Sequence, residues 1–202
     1  MSGEASVLVA GCDEVGRGTW AGPVVSCALI LDARRVPAGI ADSKVLSPRR
    51  REQLDRAIRD CCVDCSIGLA SAQEIDRLNI LQATLLSMQR AIGGLRQRPQ
   101  LVLVDGNRAP LVDVPVRTVV GGDASEPLIG AASIVAKVWR DAHMGELARR
   151  HPGYGLEKHF GYGTAQHLQA LQRLGPCAEH RHSFAPVRRV LQQHGPDRGA
   201  SP

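Results

Sequence analysis

The stretch that decides the fold is Val7-Leu8-Val9-Ala10-Gly11-Cys12-Asp13-Glu14, an apolar run that stops on two adjacent acids. Two further runs end in the same way: Leu101-Val102-Leu103-Val104 on Asp105, and Val116-Arg117-Thr118-Val119-Val120-Gly121-Gly122 on Asp123. Short β-branched runs are strands, and in an open α/β sheet ligands bind beyond the carboxyl ends of the strands. One Asp after a strand is an ordinary turn residue, and Asp105-Gly106-Asn107 makes a turn by itself. Turns do not account for four acids at three strand ends. They account least for Asp13-Glu14, which sets like charges side by side with no cation before Arg17. Carboxylates gathered in a dry crevice must take up protons or share a cation, and hard oxygen donors suit Mg²⁺ or Mn²⁺.

Outward from these runs the chain alternates strands and helices. An apolar run from Pro23 to Leu31 follows the first strand too closely for a crossover helix, so the two strands are expected to be antiparallel neighbours. Ser47-Pro48 opens a helix with Leu54, Ala57, Ile58 and Cys61 at helical spacing, and its other face carries Arg49, Arg50, Arg51, Arg56 and Arg59. Such a face is ordinarily solvated, although it could also touch a phosphate backbone. Cys65 to Ala70 reads as a third strand. Asn79 caps a helix whose Leu81, Leu85, Met88 and Ile92 form one stripe, ending at Gly93-Gly94. Leu101 to Val104 reads as a strand buried on both faces, and Val116 to Val120 as a fifth strand. Ser125 is expected to cap a long helix with Pro127 in its first turn and Leu128, Ala131, Val135, Val138 and Ala142 on one side. Gly130 and the alanines at 131, 132 and 136 would let that helix lie close to the sheet.

The 202 residues suffice for one α/β domain, expected over 1–192, with a disordered tail at 193–202. No apolar stretch is long enough to cross a bilayer, and Met1-Ser2-Gly3-Glu4 lacks the features of a signal peptide, so a cytoplasmic location is expected. Cys12, Cys27, Cys61, Cys62, Cys65 and Cys177 read as reduced thiols, and Cys62-Val63-Asp64-Cys65 has no second ligand pair at zinc-ribbon distance. The net charge of +5 comes mostly from arginine, whose planar fork suits phosphate and gives weak support to a nucleic-acid partner.

From His151 the character changes. His151-Pro152-Gly153-Tyr154-Gly155 and His159-Phe160-Gly161-Tyr162-Gly163-Thr164 bring rings and cations together before a helix from Ala165 to Leu174. Such interleaving can hold a sugar or base along a backbone, while for Phe160 and Phe184 a small satellite core explains the rings equally well. His180-Arg181-His182 lacks a metal-like partner set and reads as a surface or packing element.

Several motifs carry a resemblance: Gly11-Cys12-Asp13-Glu14-Val15-Gly16-Arg17-Gly18, Asp42-Ser43-Lys44-Val45-Leu46-Ser47, Asp105-Gly106-Asn107-Arg108, Gly122-Asp123, Ala131-Ala132-Ser133-Ile134-Val135-Ala136-Lys137 and His159-Phe160-Gly161-Tyr162-Gly163-Thr164. In this order and spacing, from about Val9 to Val187, the chain resembles bacterial ribonuclease HII. The resemblance implies an RNase H-like fold, with a mixed five-stranded sheet flanked by helices and a helical C-terminal portion. It implies an endonuclease that cuts the RNA strand of RNA–DNA hybrids and nicks 5′ of single ribonucleotides embedded in duplex DNA, leaving 5′-phosphate and 3′-hydroxyl. Position by position, Asp13, Glu14, Asp105 and Asp123 match the metal-binding catalytic carboxylates, holding two divalent ions, Mn²⁺ or Mg²⁺. Gly16, Arg17 and Gly18 match the turn that reads the ribose 2′-hydroxyl, Tyr162 the tyrosine that stacks on the adjoining deoxyribose, and Lys44 a lysine near the substrate phosphates.

Physical chemistry makes these roles reasonable. The 2′-hydroxyl alone separates RNA from DNA at a given site, and glycines let a backbone approach it closely. Two positions depart from the family pattern: Phe160 and Gly121 stand where relatives often carry lysine, and both losses remove positive charge. A binding module without chemistry and a junction-resolving nuclease of the same fold are the competing functions. The first gains nothing from crowding four acids, and the second leaves Gly16-Arg17-Gly18 and Tyr162 unexplained. No seam for a dimer is evident, so a monomer is expected.

Overall fold

The computed structural model describes residues 7–32, 34–40 and 46–193. Lys44 lies outside the described residues, as does the tail expected over 193–202 except for Gln193, which is the last residue of α8. Two compact units divide the chain: Met1–Val15, Val25–Leu69 and Thr84–Trp139 form one, and Gly16–Val24, Ala70–Ala83 and Arg140–Pro202 the other. The strands are β1 (Val9–Val15), β2 (Val24–Leu31), β3 (Cys62–Ala70), β4 (Leu101–Asp105) and β5 (Val116–Val119). The helices are α1 (Pro48–Cys61), α2 (Ala72–Leu78), α3 (Ile80–Gly93), α4 (Gly122–Ser125), α5 (Pro127–Arg150), α6 (Leu156–His159), α7 (Ala165–Leu174) and α8 (Ala185–Gln193).

In the first unit the five strands form one sheet in the order β3-β2-β1-β4-β5. β1 and β2 pair antiparallel, as their short connection predicts, while β1–β4 and β4–β5 are parallel. Strand alternation sorts the side chains onto two faces. Cys27, Leu29 and Leu31 pack with Leu54, Ile58 and Cys61 of α1 and with Ala131, Ala132, Ile134, Val135 and Ala136 of α5. Ala10, Cys12, Ala28, Ile30, Val102 and Val104 face Met88, Ala91 and Ile92 of α3. Each fully buried Leu or Ile contributes roughly 1.5–3 kcal/mol, so with few aromatic residues the aliphatic layers carry the core.

Several boundaries differ from the sequence reading for identifiable reasons. β1 does not stop at Cys12 but continues to Val15, because its ladder with β2 runs on through Asp13↔Cys27, Glu14↔Ser26 and Val15↔Val25. β3 begins three residues earlier than expected, immediately after α1. α2 was not anticipated, although Ser71-Ala72-Gln73-Glu74 spells a capping box that the structure closes at both ends. Ser125 does not cap α5: it ends α4 and its hydroxyl donates to the Gly121 carbonyl at 3.1 Å. Nor is α5 buried on one side only, since residues 129–136 are all buried while Ala142 is exposed. Ser47 caps α1 through the Arg50 N–H, and Asn79 accepts from the Gln82 N–H, both as expected. None of the six cysteines is joined in a disulfide.

The close approach of α5 to the sheet is set by a glycine on the strand rather than by the helix alanines alone. A Cβ placed on Gly11 would lie 2.3 Å from the Leu128 carbonyl carbon and oxygen. Backbone cannot yield as a flexible side chain can, so Gly11→Ala must push β1 and α5 apart. Gly11→Ala is expected to cost about 1–3 kcal/mol or more in urea unfolding, as overpacking does. An unchanged midpoint would show that the contact is not tight.

Candidate active site

The parallel register of β1 with β4 pairs Gly11 with Leu103 and Cys12 with Val104, so Asp13 and Asp105 follow one step further on neighbouring strands. Both belong to the face covered by α5, because Cys12 and Val104 take the α3 face. Glu14 falls on the opposite side by alternation, yet its longer side chain brings an oxygen into the group. One carboxylate oxygen each from Asp13, Glu14 and Asp105 lie within 4.8 Å of one another.

Asp13 is the buried member, only 4% exposed. Burial pushes its carboxyl well above the usual range, and the Glu14 and Asp105 carboxylates push in the same direction. A hydrogen bond from Ser133 on α5 and the Glu14 N–H, at 2.7 Å from Oδ1, act against that rise. The Gly122 N–H donates to Asp105 Oδ1 at 2.7 Å, which orients that carboxylate from the start of α4. Asp123 is not in the three-carboxylate cluster. It sits half-buried in the first turn of α4, one residue beyond the amide that holds Asp105. The role of Ser133 is not legible in the sequence, since a serine within an apolar helix carries no local signal of its partner.

This donor set fits a hard divalent cation. All three donors are carboxylates, and the buried one, Asp13, is the member whose ionised form a neighbouring cation would favour.

In the second unit the Gly16-Arg17-Gly18 turn uses its two glycines differently. Gly16 is buried at φ +91°, and a Cβ there would strike the Arg140 guanidinium at 2.3 Å, whereas a Cβ on Gly18 would meet nothing within 4 Å. The first glycine is required by the frame, and the second leaves exposed backbone open to a ligand. Arg181 holds the turn from beneath: Nη2 donates to the Gly16 carbonyl at 2.7 Å and Nη1 to the Arg17 carbonyl at 2.9 Å. Arg181 is fully buried, and burial with the neighbouring Arg140 cation lowers its pKa to about 9. Sequence reasoning missed this role, treating Arg181 as one of a surface or packing trio.

The Tyr162 loop rests on a histidine relay. The Cys177 N–H donates to His180 Nδ1 at 3.0 Å, which leaves His180 Nε2 to donate to His167 Nε2 at 3.1 Å. His167 Nδ1 then donates to the Tyr162 carbonyl at 2.9 Å. Every ring in that chain must be neutral for the donors and acceptors to alternate. Tyr162 itself is 42% exposed. Phe160 packs on the satellite core of Ala21, Met144, Leu147, Tyr154, Leu156 and Ala170, and Phe184 on Leu171, Val187 and Val190, so both rings serve packing.

A mixed sheet with helices on both faces, and carboxylates clustered where its adjoining parallel strands end, defines an RNase H-like nuclease. The family model for ribonuclease HII matches residues 10–187. The chain is 53% identical over 192 residues to ribonuclease HII of Polaromonas sp. strain JS666, covering 95% of this chain and 96% of that protein. It is 57% identical over 185 residues to ribonuclease HII of Acidovorax sp. strain JS42, covering 92% and 88%. Among solved structures, ribonuclease H2 from Pyrococcus horikoshii OT3 superposes with a TM-score of 0.78 at 26% identity, covering 93% of this chain and 98% of that one. The chain belongs to the ribonuclease HII family and is a ribonuclease H, an endonuclease that hydrolyses phosphodiester bonds. Among the described residues no helix is long and apolar enough to cross a membrane.

Two expected outcomes follow from the charges. Because the folded Asp13 carboxyl titrates above its unfolded value, the metal-free protein should lose stability as pH rises from about 4 through that raised value. In chelator at neutral pH, Asp13→Asn is therefore expected to melt higher than the parent, while the rise in Tm that Mn²⁺ gives the parent should shrink or vanish. An Asp13→Asn protein that melts lower in chelator and responds fully to Mn²⁺ would remove Asp13 from the cluster. The histidine relay has the opposite sign: burial lowers His167 to about 4 and His180 to about 3. Its contribution is complete above about pH 6.5 and is lost as pH falls through those values. Urea stability should decline from pH 6.5 toward 4, with a shallower slope in His167→Gln; equal slopes would assign the decline to other groups.

Proposed function

We propose that this ribonuclease H cuts the RNA strand of RNA–DNA hybrids and nicks 5′ of single ribonucleotides in duplex DNA, leaving 5′-phosphate and 3′-hydroxyl ends. The observation that carries the reading is the carboxylate cluster of Asp13, Glu14 and Asp105. Asp123, opening α4 beside the amide bound to Asp105, is assigned as the fourth acid. These four would hold two divalent ions, Mn²⁺ or Mg²⁺, which when bound supply an activated water and a counter-charge for the leaving 3′-oxygen.

The chain's own residues do the rest. Asp13 stays fixed by Ser133 and the Glu14 amide, and Asp105 by the Gly122 amide, so the anionic oxygens are held in place before substrate arrives. Preorganised charge of this kind costs no reorganisation during reaction. The turn Gly16, Arg17 and Gly18 presents backbone to the 2′-hydroxyl, with Gly18 leaving room for close approach. The exposed Tyr162 ring offers a face for the following deoxyribose. Lys44 is assigned to the substrate phosphates on the family motif alone. The enzyme is assigned as a monomer.

The test is cleavage of a labelled duplex containing one ribonucleotide and of an all-RNA hybrid strand, with Mn²⁺ or Mg²⁺ and then with chelator. Both substrates should be cut only with metal, and Tyr162→Ala should slow the single-ribonucleotide duplex more than the hybrid by about tenfold, within the range of one lost stacking contact. Equal slowing on both would remove Tyr162 from junction reading, and cleavage in chelator would sink the metal assignment.

A further inference from the structure

Arg140 is fully buried on α5, and its guanidinium reaches two segments at once. Nε donates to the Pro23 carbonyl at 3.0 Å, and Nη2 to Thr19 Oγ1 at 2.9 Å and the Ala21 carbonyl at 3.2 Å. Nη1 donates to the Phe160 carbonyl at 3.0 Å, two residues before Tyr162. Thr19 extends the contact within its own segment, since its hydroxyl lies 3.1 Å from both the Gly16 and the Ala21 carbonyls. One planar fork thus touches the segment that carries the Gly16-Arg17-Gly18 turn and the loop that carries Tyr162.

We propose that Arg140 is a positioning residue for junction selectivity: it fixes the spacing between the turn and Tyr162, and so the match to a ribonucleotide followed by a deoxyribonucleotide. This rests on the reading above, in which the turn addresses the 2′-hydroxyl and Tyr162 the next sugar.

The chemistry of the fork favours spacing over simple cohesion. A guanidinium in the interior carries a desolvation cost, and packing alone would be served as well by an apolar side chain. The acceptors are neutral oxygens, so what the cation adds is direction: rigid donors in one plane, aimed at two chain segments. Lysine would keep the charge but lose the fork. The segments also meet without Arg140, through the Trp20 N–H donating to the Gly161 carbonyl at 2.8 Å, so loss of the fork relaxes the spacing without separating them. A Cβ on Gly161 would lie 2.4 Å from the Ala21 carbonyl, which shows how tightly that spacing is set.

The experiment compares kcat/KM for the parent, Arg140→Lys, Thr19→Val and Tyr162→Ala on a duplex with one ribonucleotide and on an all-RNA hybrid, with the active fraction titrated for each protein. Arg140→Lys is expected to lose about tenfold more on the single-ribonucleotide duplex than on the hybrid, well inside the penalty for ångström-scale misplacement. Thr19→Val should lose less, in the same direction. Equal losses on both substrates, or none, would overturn the proposal, because a merely structural residue lowers both alike. Should Arg140→Lys not fold, Thr19→Val decides: a loss that depends on the substrate supports the proposal, and a uniform one overturns it. Tyr162→Ala separates the two layers. If it does not discriminate, the underlying reading falls; if it discriminates and Arg140→Lys does not, only the role of Arg140 falls.

Discussion

One unfavourable interaction constrains the first unit, the crowding of Asp13, Glu14 and Asp105. Three carboxylate oxygens within 4.8 Å, one of them on a residue almost wholly buried, repel one another through a medium that screens poorly. Nothing in that group holds itself together. It is held by the parallel register that aligns β1 with β4, by Gly11 admitting the backbone of α5, and by Ser133 and two amides that donate to the acids. The sheet and the long helix are thus a clamp on an anionic site, and a cation that relieved the repulsion would stabilise the whole unit.

The second unit treats buried charge in the opposite way. Arg140 and Arg181 are both fully buried, yet each spends its donors on backbone carbonyls of residues 16–23, with Thr19 and Phe160 completing the set. Satisfied donors give these cations no call for an outside anion. The histidine relay beneath Tyr162 is likewise closed, each neutral ring donating once and accepting once. The polar interior of this unit is therefore a frame, while Arg17, Gly18 and Tyr162 lie at its exposed surface.

Much of this was legible in the sequence where local chemistry speaks. Apolar runs ending on acids located β1, β4 and β5, Ser47-Pro48 located the start of α1, and the short Gly16–Pro23 link dictated the antiparallel β1–β2 pair. The acids at those strand ends came together as expected for Asp13, Glu14 and Asp105. What stayed hidden was long-range. Pairing with β2 carried β1 past its apolar residues, so that Asp13 and Glu14 lie on the strand and not after it. Ser125 has the residue type of a helix cap but was taken up by the short α4. Arg140 and Arg181 look like ordinary surface cations, because most of their acceptors lie more than a hundred residues away in the chain. α2 and α8 were missed although the sequence spells them, in the capping box at Ser71 and the Val187, Val190 and Leu191 spacing, and the one-turn helices α4 and α6 were missed as well.

The two departures from the family pattern gain meaning from the same distinction between frame and open surface. At Phe160 the part the structure uses is the backbone: its carbonyl takes the Arg140 donor and its N–H bonds the Leu156 carbonyl, while φ is +49°. The left-handed conformation costs about 1 kcal/mol for a residue with a Cβ, whichever side chain it bears. A phenylalanine there exchanges the charge of a lysine for packing on the satellite core without altering what Arg140 holds. Gly121 is also left-handed, at φ +68°, and a Cβ there would meet nothing within 4 Å, so glycine relieves strain at that turn and no neighbour requires it. A lysine at either position would add positive charge without altering the Phe160 carbonyl that takes the Arg140 donor or the Gly122 amide that holds Asp105.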